Sequence, residues 1–134
     1  MITHPYNLLI ADDIIMNRFL LKEVVASVAG NIYEAANGKE VIQILYDHPV
    51  DIILMDIEMP VMNGLETTRY IRNKLESPLN RIPIIALTAH NPLDFFKTYQ
   101  EAGFDQLITK PYSINKVTQT IQSIQINPNT RSDD

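Results

Sequence analysis

The sequence predicts an α/β domain in which a doubly wound sheet of five parallel strands, a (βα)5 arrangement, carries helices on both faces. Three observations lead to this prediction. Short apolar runs without polar alternation recur along the chain, as is typical of strands covered on both faces. Segments with helical periodicity lie between these runs, and such alternation is typical of a parallel sheet. The length of 134 residues suits one domain with one core.

Five segments are strand candidates. Residues 6–11, 52–55 and 82–87 are nearly continuous apolar runs, and residues 106–109 and 31–36 are weaker ones. Because each is short and is followed by turn or capping residues, we interpret each as a buried strand rather than as part of a helix.

The first helix candidate, residues 13–29, has Gly30 placed to end it. At 100° per residue, one side of this helix groups the apolar residues that we expect to face the core, namely Leu20, Leu21, Val24 and Val28. Ile15 and Phe19 lie nearly opposite and are therefore expected to be exposed.

The remaining helices are predicted from their caps. Asn37 caps the second, and the third spans residues 63–75. Asn91 followed by Pro92 starts the fourth, and Gly103 ends it. Ser113 caps the fifth, whose expected core stripe is Ile114, Val117, Ile121 and Ile124.

The amino-acid composition limits the kinds of protein that this chain can be. The net charge of −5 argues against direct nucleic-acid binding through a diffuse basic surface. The absence of cysteine excludes disulfides and thiolate metal sites. No apolar run approaches the roughly 20 residues that cross a bilayer, and residues 1–7 do not resemble a signal peptide. We expect a cytoplasmic domain over residues 1–126 and a polar, disordered tail over residues 127–134, with no role at a membrane.

Polar groups stand where four of the predicted strands end. Asp12 and Asp13 follow the first strand, Asp56 the third, Thr88 the fourth and Lys110 the fifth. Taken singly, each has an ordinary structural explanation as a helix cap, a turn residue or a solvated side chain. Because ligands bind at the carboxyl edge of such sheets, we expect these groups to converge there.

A hard divalent cation would relieve the repulsion among three carboxylates, and Mg²⁺ prefers such oxygen ligands. Carboxylates with Mg²⁺, a hydroxyl group and an ammonium group suit phosphoryl transfer, which depends on positioning and on charge neutralisation. One carboxylate can itself be the nucleophile and form an acyl phosphate.

The motifs LLIADD, LMDIEMPVMNG, ALTA and ITKP, in this order and spacing, resemble the receiver domain of two-component response regulators. The resemblance runs from about Tyr6 to Ile124. It implies the flavodoxin-like strand order 2-1-3-4-5. It also implies a phosphorylation-controlled switch, which catalyses only its own phosphorylation and dephosphorylation, rather than an enzyme acting on an external substrate.

The resemblance assigns roles to individual residues. Asp56 accepts a phosphoryl group from a phosphohistidine on a sensor histidine kinase or a histidine phosphotransfer protein. Asp13, Asp56 and the Glu58 backbone carbonyl bind Mg²⁺, and Asp12 acts mainly through water. Thr88 and Lys110 contact the phosphoryl oxygens.

Three further expectations rest on the same resemblance. Pro111 follows Lys110 through a cis peptide bond. Glu58 and His90 tune the lifetime of the phosphorylated state. Leu107 occupies the position where the family usually carries an aromatic switch residue, so the transmission of the signal is expected to differ in this chain.

We predict that the exposed pair Ile15 and Phe19 docks the partner that presents the phosphohistidine, because exposed apolar patches often mark docking sites. Scattered surface apolarity and a dimer contact are the alternatives. The downstream target is not predicted by the sequence.

Three other functions are alternatives. A flavodoxin would need a phosphate-cradling first loop, where this chain has ADDII. A Mg²⁺-dependent phosphatase with an aspartate nucleophile usually shows D-x-D-x-T after its first strand, which is absent here. A receiver-like binding module that is never phosphorylated would not require the full set of acceptor-site residues.

Overall fold

A computed structural model describes residues 5–89 and 92–124, with only the backbone described for residues 92–96. Its strands are β1 (Tyr6–Ala11), β2 (Ala29–Ala35), β3 (Ile52–Asp56), β4 (Ile84–Thr88) and β5 (Gln106–Thr109). Its α-helices are α1 (Ile15–Val25), α2 (Gly38–Asp47), α3 (Gly64–Lys74), α4 (Pro92–Ala102) and α5 (Ile114–Ser123). A short 3₁₀ helix, Leu79–Arg81, precedes β4. The predicted tail, His90 and Asn91 lie outside the described residues.

The five strands of the described chain are parallel and lie in the order β2-β1-β3-β4-β5. This order confirms both the predicted fold class and the strand order implied by the resemblance. The crossover from one side of β1 to the other places the switch in strand order at β1 and β3. These are the two strands that deliver Asp12, Asp13 and Asp56.

The core is divided between the two faces of the sheet. One face packs against α2, α3 and α4 in the α2–α4 cluster, which includes Leu9, Val41, Ile53, Ile71 and Tyr99. The other face packs against α1 and α5 in the α1–α5 cluster, which includes Leu8, Leu21, Val25, Leu54 and Val117. Successive residues of β1 and β3 alternate between these clusters, so both faces require apolar side chains. The continuous apolar runs of the sequence follow from this double burial.

The first helix differs from its prediction. Leu21, Val25 and Val28 are buried, whereas Leu20 is 55% exposed, so the buried stripe is rotated by about one residue from the expected one. The helix ends at Val25, and Gly30 lies inside β2 rather than at a helix end. Sheet pairing decides this boundary, because β2 begins at Ala29, where Ala29 pairs with Tyr6 of β1.

Apart from Gly30, the predicted caps that fall in the described chain are confirmed. The side chains of Asn37 and Ser113 accept backbone N–H groups at the starts of α2 and α5. Asn63 is the N-cap of α3 and forms a reciprocal capping box with Glu66. Gly103, with φ of 110°, follows the end of α4.

The predicted core stripe of α5 needs one correction. Ile114 is 59% exposed, whereas Val117 and Ile121 are buried and Ile124 packs at the edge of the α1–α5 cluster. Ile114 is the first residue of the helix, and the buried stripe begins about one turn later at Val117.

Candidate functional site

An open cleft of about 750 Å³ lies at the carboxyl edge of the sheet. Because the strands are parallel, the residues that follow β1, β3, β4 and β5 meet at this edge. The lining side chains include Asp13, Asn17, Asp56, Glu58, Thr88 and Lys110. Four of these come from the strand ends that the sequence had indicated.

Three carboxylates form an acidic cluster at the base of the cleft. Asp12, Asp13 and Asp56 each contribute one carboxylate oxygen, and these three oxygens lie within 4.8 Å of one another. Asp12 and Asp56 are buried, whereas Asp13 is exposed. Three hard oxygen donors at this spacing fit the preferences of a divalent cation such as Mg²⁺. The chain therefore contains an acidic cluster able to bind a metal ion.

The groups around Asp56 that disfavour its negative charge outweigh those that favour it. The pKa of its carboxyl group is raised to about 6, chiefly by burial and in smaller part by the charge of Asp12 and a hydrogen bond with it. Lys110 and the Glu58 backbone N–H, which donates to Asp56 at 3.3 Å, act in the opposite direction without cancelling the effect of burial. This charge imbalance is what a bound cation would compensate.

The positive side of the cleft comes from β5. The Nζ atom of Lys110 lies 3.7 Å from Oδ1 of Asp56. The Lys110 backbone N–H donates to the Thr88 carbonyl at 2.7 Å, which joins the ends of β4 and β5. The Lys110–Pro111 peptide bond is cis, as expected, and Thr88 is buried and lines the cleft.

The loop between β3 and α3 closes one wall of the cleft. A side chain on Gly64 would place Cβ 2.4 Å from the Asp56 carbonyl oxygen, so only glycine permits this close return of the chain. Val61 has φ of 69°, and the Met62 N–H donates to the Pro60 carbonyl at 2.6 Å, which defines a γ-turn centred on Val61. A β-branched residue in this region is strained. Sequence reasoning missed this feature, because such positions are usually Gly or Asn.

The outer face of α1 is apolar and exposed beside the cleft. Ile15 is 72% exposed and Phe19 is 53% exposed, so the predicted exposure of both is confirmed. The sequence interpretation missed three neighbours that are also exposed, namely Ile14, Met16 and Leu20. We call Ile14, Ile15, Met16, Phe19 and Leu20 the α1 patch.

Side chains from the first turns of α1 also form hydrogen bonds with Asp12, which the sequence analysis did not predict. The Asn17 amide nitrogen lies 3.2 and 3.4 Å from the two carboxylate oxygens of Asp12. Arg18 donates to the Asp12 backbone carbonyl at 2.7 Å and to Glu34 of β2 at 2.9 Å. Lys22 donates to the same Glu34 carboxylate, and hydrogen bonds from Lys22 and Arg18 lower its pKa. Asn17 and Arg18 follow Asp12 and Asp13 by four to six positions. At the start of a helix, this spacing brings their side chains back over the loop that carries the two aspartates.

Leu107 lies on β5, opposite Ala86 of β4, and is partly buried against the α2–α4 cluster. Nearby in this cluster, Tyr99 and Phe104 pack edge to face with ring centroids 5.8 Å apart. Tyr99 of α4 and Phe104 of the α4–β5 loop therefore supply aromatic area to this cluster, whereas position 107 does not.

The family model of the response regulator receiver domain matches residues 8–122, most of the chain. The chain belongs to this family. Receiver domains are regulatory modules of two-component signalling and accept phosphoryl groups from histidine kinases, so the family match favours the predicted function over the flavodoxin and phosphatase alternatives.

Individual relatives agree with this assignment. The receiver domain is 29% identical to the polar-differentiation response regulator DivK of Brucella anthropi over 119 residues, which cover 89% of this chain and 95% of the relative. It is 36% identical over 112 residues to the hybrid signal transduction histidine kinase I of Dictyostelium discoideum, covering 80% of this chain but 6% of that kinase.

A solved structure is also similar. The receiver domain of sensor histidine kinase PA1611 from Pseudomonas aeruginosa PAO1 aligns with a TM-score of 0.78 and 26% identity, covering 89% of this chain and 96% of that one. That protein has a magnesium ion coordinated in its active site cleft. Within the described part of the present receiver domain, no helix has the length and apolar character needed to cross a membrane.

Proposed function

We propose that this receiver domain accepts a phosphoryl group on Asp56 from a phosphohistidine of a sensor histidine kinase or a histidine phosphotransfer protein. An oxygen of the Asp56 carboxylate attacks phosphorus, the P–N bond breaks, and its electron pair returns to the imidazole nitrogen. If the imidazole is protonated at its other nitrogen, the leaving group is a neutral histidine. The acyl phosphate is later hydrolysed by water to Asp56 and inorganic phosphate, so the domain acts as a switch without an external substrate.

The observation that carries this proposal is the meeting of the acidic cluster with Lys110 at one strand edge. Three carboxylate oxygens lie within 4.8 Å of one another, and the Lys110 ammonium lies 3.7 Å from Asp56. A nucleophilic carboxylate, a cation site and a fixed ammonium group are the components that phosphoryl transfer needs.

We assign the cation as Mg²⁺, held by Asp13, Asp56 and the Glu58 backbone carbonyl, with Asp12 acting through water. When bound, Mg²⁺ neutralises negative charge on the carboxylates and the phosphoryl oxygens. The Asp12, Asp13 and Asp56 oxygens support this assignment, because they are hard donors grouped closely enough to share one ion.

Lys110 and Thr88 orient the phosphoryl group in this proposal. The ammonium group pairs with a phosphoryl oxygen, and the Thr88 hydroxyl group donates to another. Since Thr88 and Lys110 are joined through their backbones, a shift of one residue moves the other. Leu107 cannot contribute a ring to this movement, so we place the change at Thr88 and its neighbour Ala89 rather than at position 107.

The α1 patch is proposed as the docking surface for the helical partner that carries the phosphohistidine, with Ile15 and Phe19 at its centre. Its start lies at the mouth of the cleft, because Ile14 and Asp13 both line that cleft. A partner packed on α1 is therefore placed next to the acceptor carboxylate.

Mass spectrometry tests the assignment of Asp56. The wild-type chain and the Asp56→Asn variant are incubated with a small phosphodonor such as acetyl phosphate, with and without MgCl₂. We expect one added phosphoryl group on the wild type, only when Mg²⁺ is present, and none on the variant. A phosphoryl group that persists on Asp56→Asn would refute the assignment.

A further inference from the structure

The Asn17 side chain contacts both oxygens of the Asp12 carboxylate. Its amide nitrogen lies 3.2 Å from one carboxylate oxygen and 3.4 Å from the other. Asp12 is only 1% exposed, whereas Asn17 lines the open cleft. An ionised carboxylate can only accept hydrogen bonds, so the amide nitrogen of Asn17 must be the atom that faces it.

The backbone of Asp12 is held by other groups. Its N–H donates to the Ala35 carbonyl at 3.0 Å, and its carbonyl accepts from Arg18 at 2.7 Å. Its carboxylate accepts the Ile14 N–H at 2.9 Å and also interacts with the carboxyl group of Asp56, so Asn17 is its side-chain amide donor. Loss of the Asn17 amide would therefore loosen the orientation of the carboxylate without displacing the loop that carries it.

We propose that Asn17 is a positioning residue for the divalent cation of the acidic cluster. This inference rests on the proposed function. The amide holds Asp12 in one orientation beside Asp13 and Asp56 and offsets part of the repulsion among the three carboxylates. Outer partners of this kind, which orient a group of the metal site without touching the metal, typically contribute a factor of about 10 to 100 in metal affinity.

The role differs from catalysis because Asn17 has no contact with Asp56 or Lys110 among the described hydrogen bonds. Asn17 therefore acts on how tightly the cation binds, and the phosphoryl transfer itself proceeds normally once the cation site is filled.

The test replaces Asn17 in two ways. Asn17→Leu keeps the approximate volume and removes the donor, and Asn17→Ala removes the side chain, so either variant that folds is informative. Both leave the net charge unchanged. Asn73→Ala is the matched control, because Asn73 is an exposed residue near the carboxyl end of α3, away from the cleft.

Mg²⁺ affinity is measured on the full chain by NMR titration of backbone amide shifts with MgCl₂. We expect the dissociation constant of the Asn17 variants to rise about tenfold, at the lower end of the range for such partners, and that of Asn73→Ala to match the wild type. Unchanged affinity in the Asn17 variants, or equal weakening in the control, would overturn the proposal.

The second measurement is the rate of phosphorylation by acetyl phosphate as a function of Mg²⁺ concentration. The Mg²⁺ concentration that gives half-maximal rate should rise by the same factor as the dissociation constant, while the maximal rate stays within about twofold of wild type. A lowered maximal rate with unchanged Mg²⁺ dependence would overturn the positioning role. Unphosphorylated wild type at every Mg²⁺ concentration would instead refute the proposed function, so the two failures are distinguishable.

Discussion

The two edges of the sheet differ in whether their buried charges are balanced by neighbouring groups. At the carboxyl edge, three carboxylates converge, and the pKa of Asp56 is raised because burial is not balanced by Lys110. At the amino edge, Arg72 is largely buried but donates to the carbonyls of Asn80, Ile82 and Gly103 and to the Asp105 carboxylate. The amino edge is therefore electrostatically satisfied, whereas the carboxyl edge keeps an imbalance that a cation and a phosphoryl group can use.

This difference separates stability from function. The Asp105 carboxylate also accepts the Ile84 N–H at 2.8 Å, so Arg72 and Asp105 join α3 to the starts of β4 and β5. At the acidic cluster, the Lys110 ammonium group lies 3.7 Å from Asp56, whereas Asn17 and the backbone N–H groups are uncharged donors. Among the described protein groups, these contacts do not balance the charge of three carboxylates as Arg72 balances Asp105. We infer that the amino edge stabilises the fold and that the carboxyl edge destabilises it in the absence of cation.

The largest effect is expected at the amino edge. Arg72→Ala leaves three backbone carbonyls without their donor and removes the ion pair, so we expect a loss of about 3 kcal/mol in the free energy of unfolding. Urea denaturation in EDTA measures it. Arg69→Ala is the matched control, because Arg69 is exposed on the same helix. A loss for Arg72→Ala no larger than for Arg69→Ala would remove the contrast between the edges.

Removal of a charge from the carboxyl edge should raise the free energy of unfolding, whereas removal of Arg72 lowers it. The pKa of Asp56 is raised in the folded protein, so the folded state binds more protons than the unfolded state between about pH 4 and pH 6. The stability of the wild type therefore falls as pH rises through this window. Asp56→Asn lacks this term and should be more stable by about 2 kcal/mol above pH 6 in EDTA, with the difference shrinking towards pH 4.

Urea denaturation of both proteins from pH 4 to pH 8 checks this expectation. Added MgCl₂ should narrow the difference in the free energy of unfolding at pH 7. The cation binds the three carboxylates of the wild type more tightly than the two that remain in Asp56→Asn, so it stabilises the wild type more. Equal stability of the two proteins at pH 7 in EDTA would contradict an unbalanced carboxyl edge.

Most of this contrast could not be predicted from the sequence. The strand ends and their polar residues were predicted correctly, because strands buried on both faces leave unambiguous apolar runs that end at Asp12, Asp56, Thr88 and Lys110. Arg72 carried no signal, since its partners lie 8 to 33 residues away and are mostly backbone carbonyls. Backbone acceptors have no residue identity that a sequence pattern can show.

The first helix shows a second limit of sequence reasoning. Two apolar stripes overlap on α1: the predicted core side joined Leu20 and Val24 to Leu21 and Val28, whereas the structure buries the stripe through Leu21 and Val25 and leaves Leu20 exposed. Both have helical spacing, so periodicity alone cannot choose between them. Which of the two stripes is buried determines which residues of α1 are exposed in the α1 patch.

The α1 patch extends the comparison to binding. Phe19→Ser should slow phosphoryl transfer from a histidine kinase or phosphotransfer partner by about tenfold, because a large exposed aromatic anchor is lost from the interface. Phosphorylation by acetyl phosphate should be unchanged, since Phe19 is not among the residues that line the cleft. Tyr46→Ser, at an exposed aromatic residue on α2, is the control. Equal slowing with both donors would place the effect in the acceptor site rather than in docking.

The smallest expected effect concerns strain at the carboxyl edge. Val61 has positive φ and is 71% exposed, so its side chain loses little contact area when it is replaced. Val61→Asn should raise the free energy of unfolding by about 1 kcal/mol, because Asn tolerates this backbone region. Val61→Ala is the matched control, since it shortens the side chain but keeps a Cβ in the same strained conformation. Urea denaturation that shows equal gains for both variants would assign the gain to lost surface apolarity, and strain would then no longer distinguish the carboxyl edge.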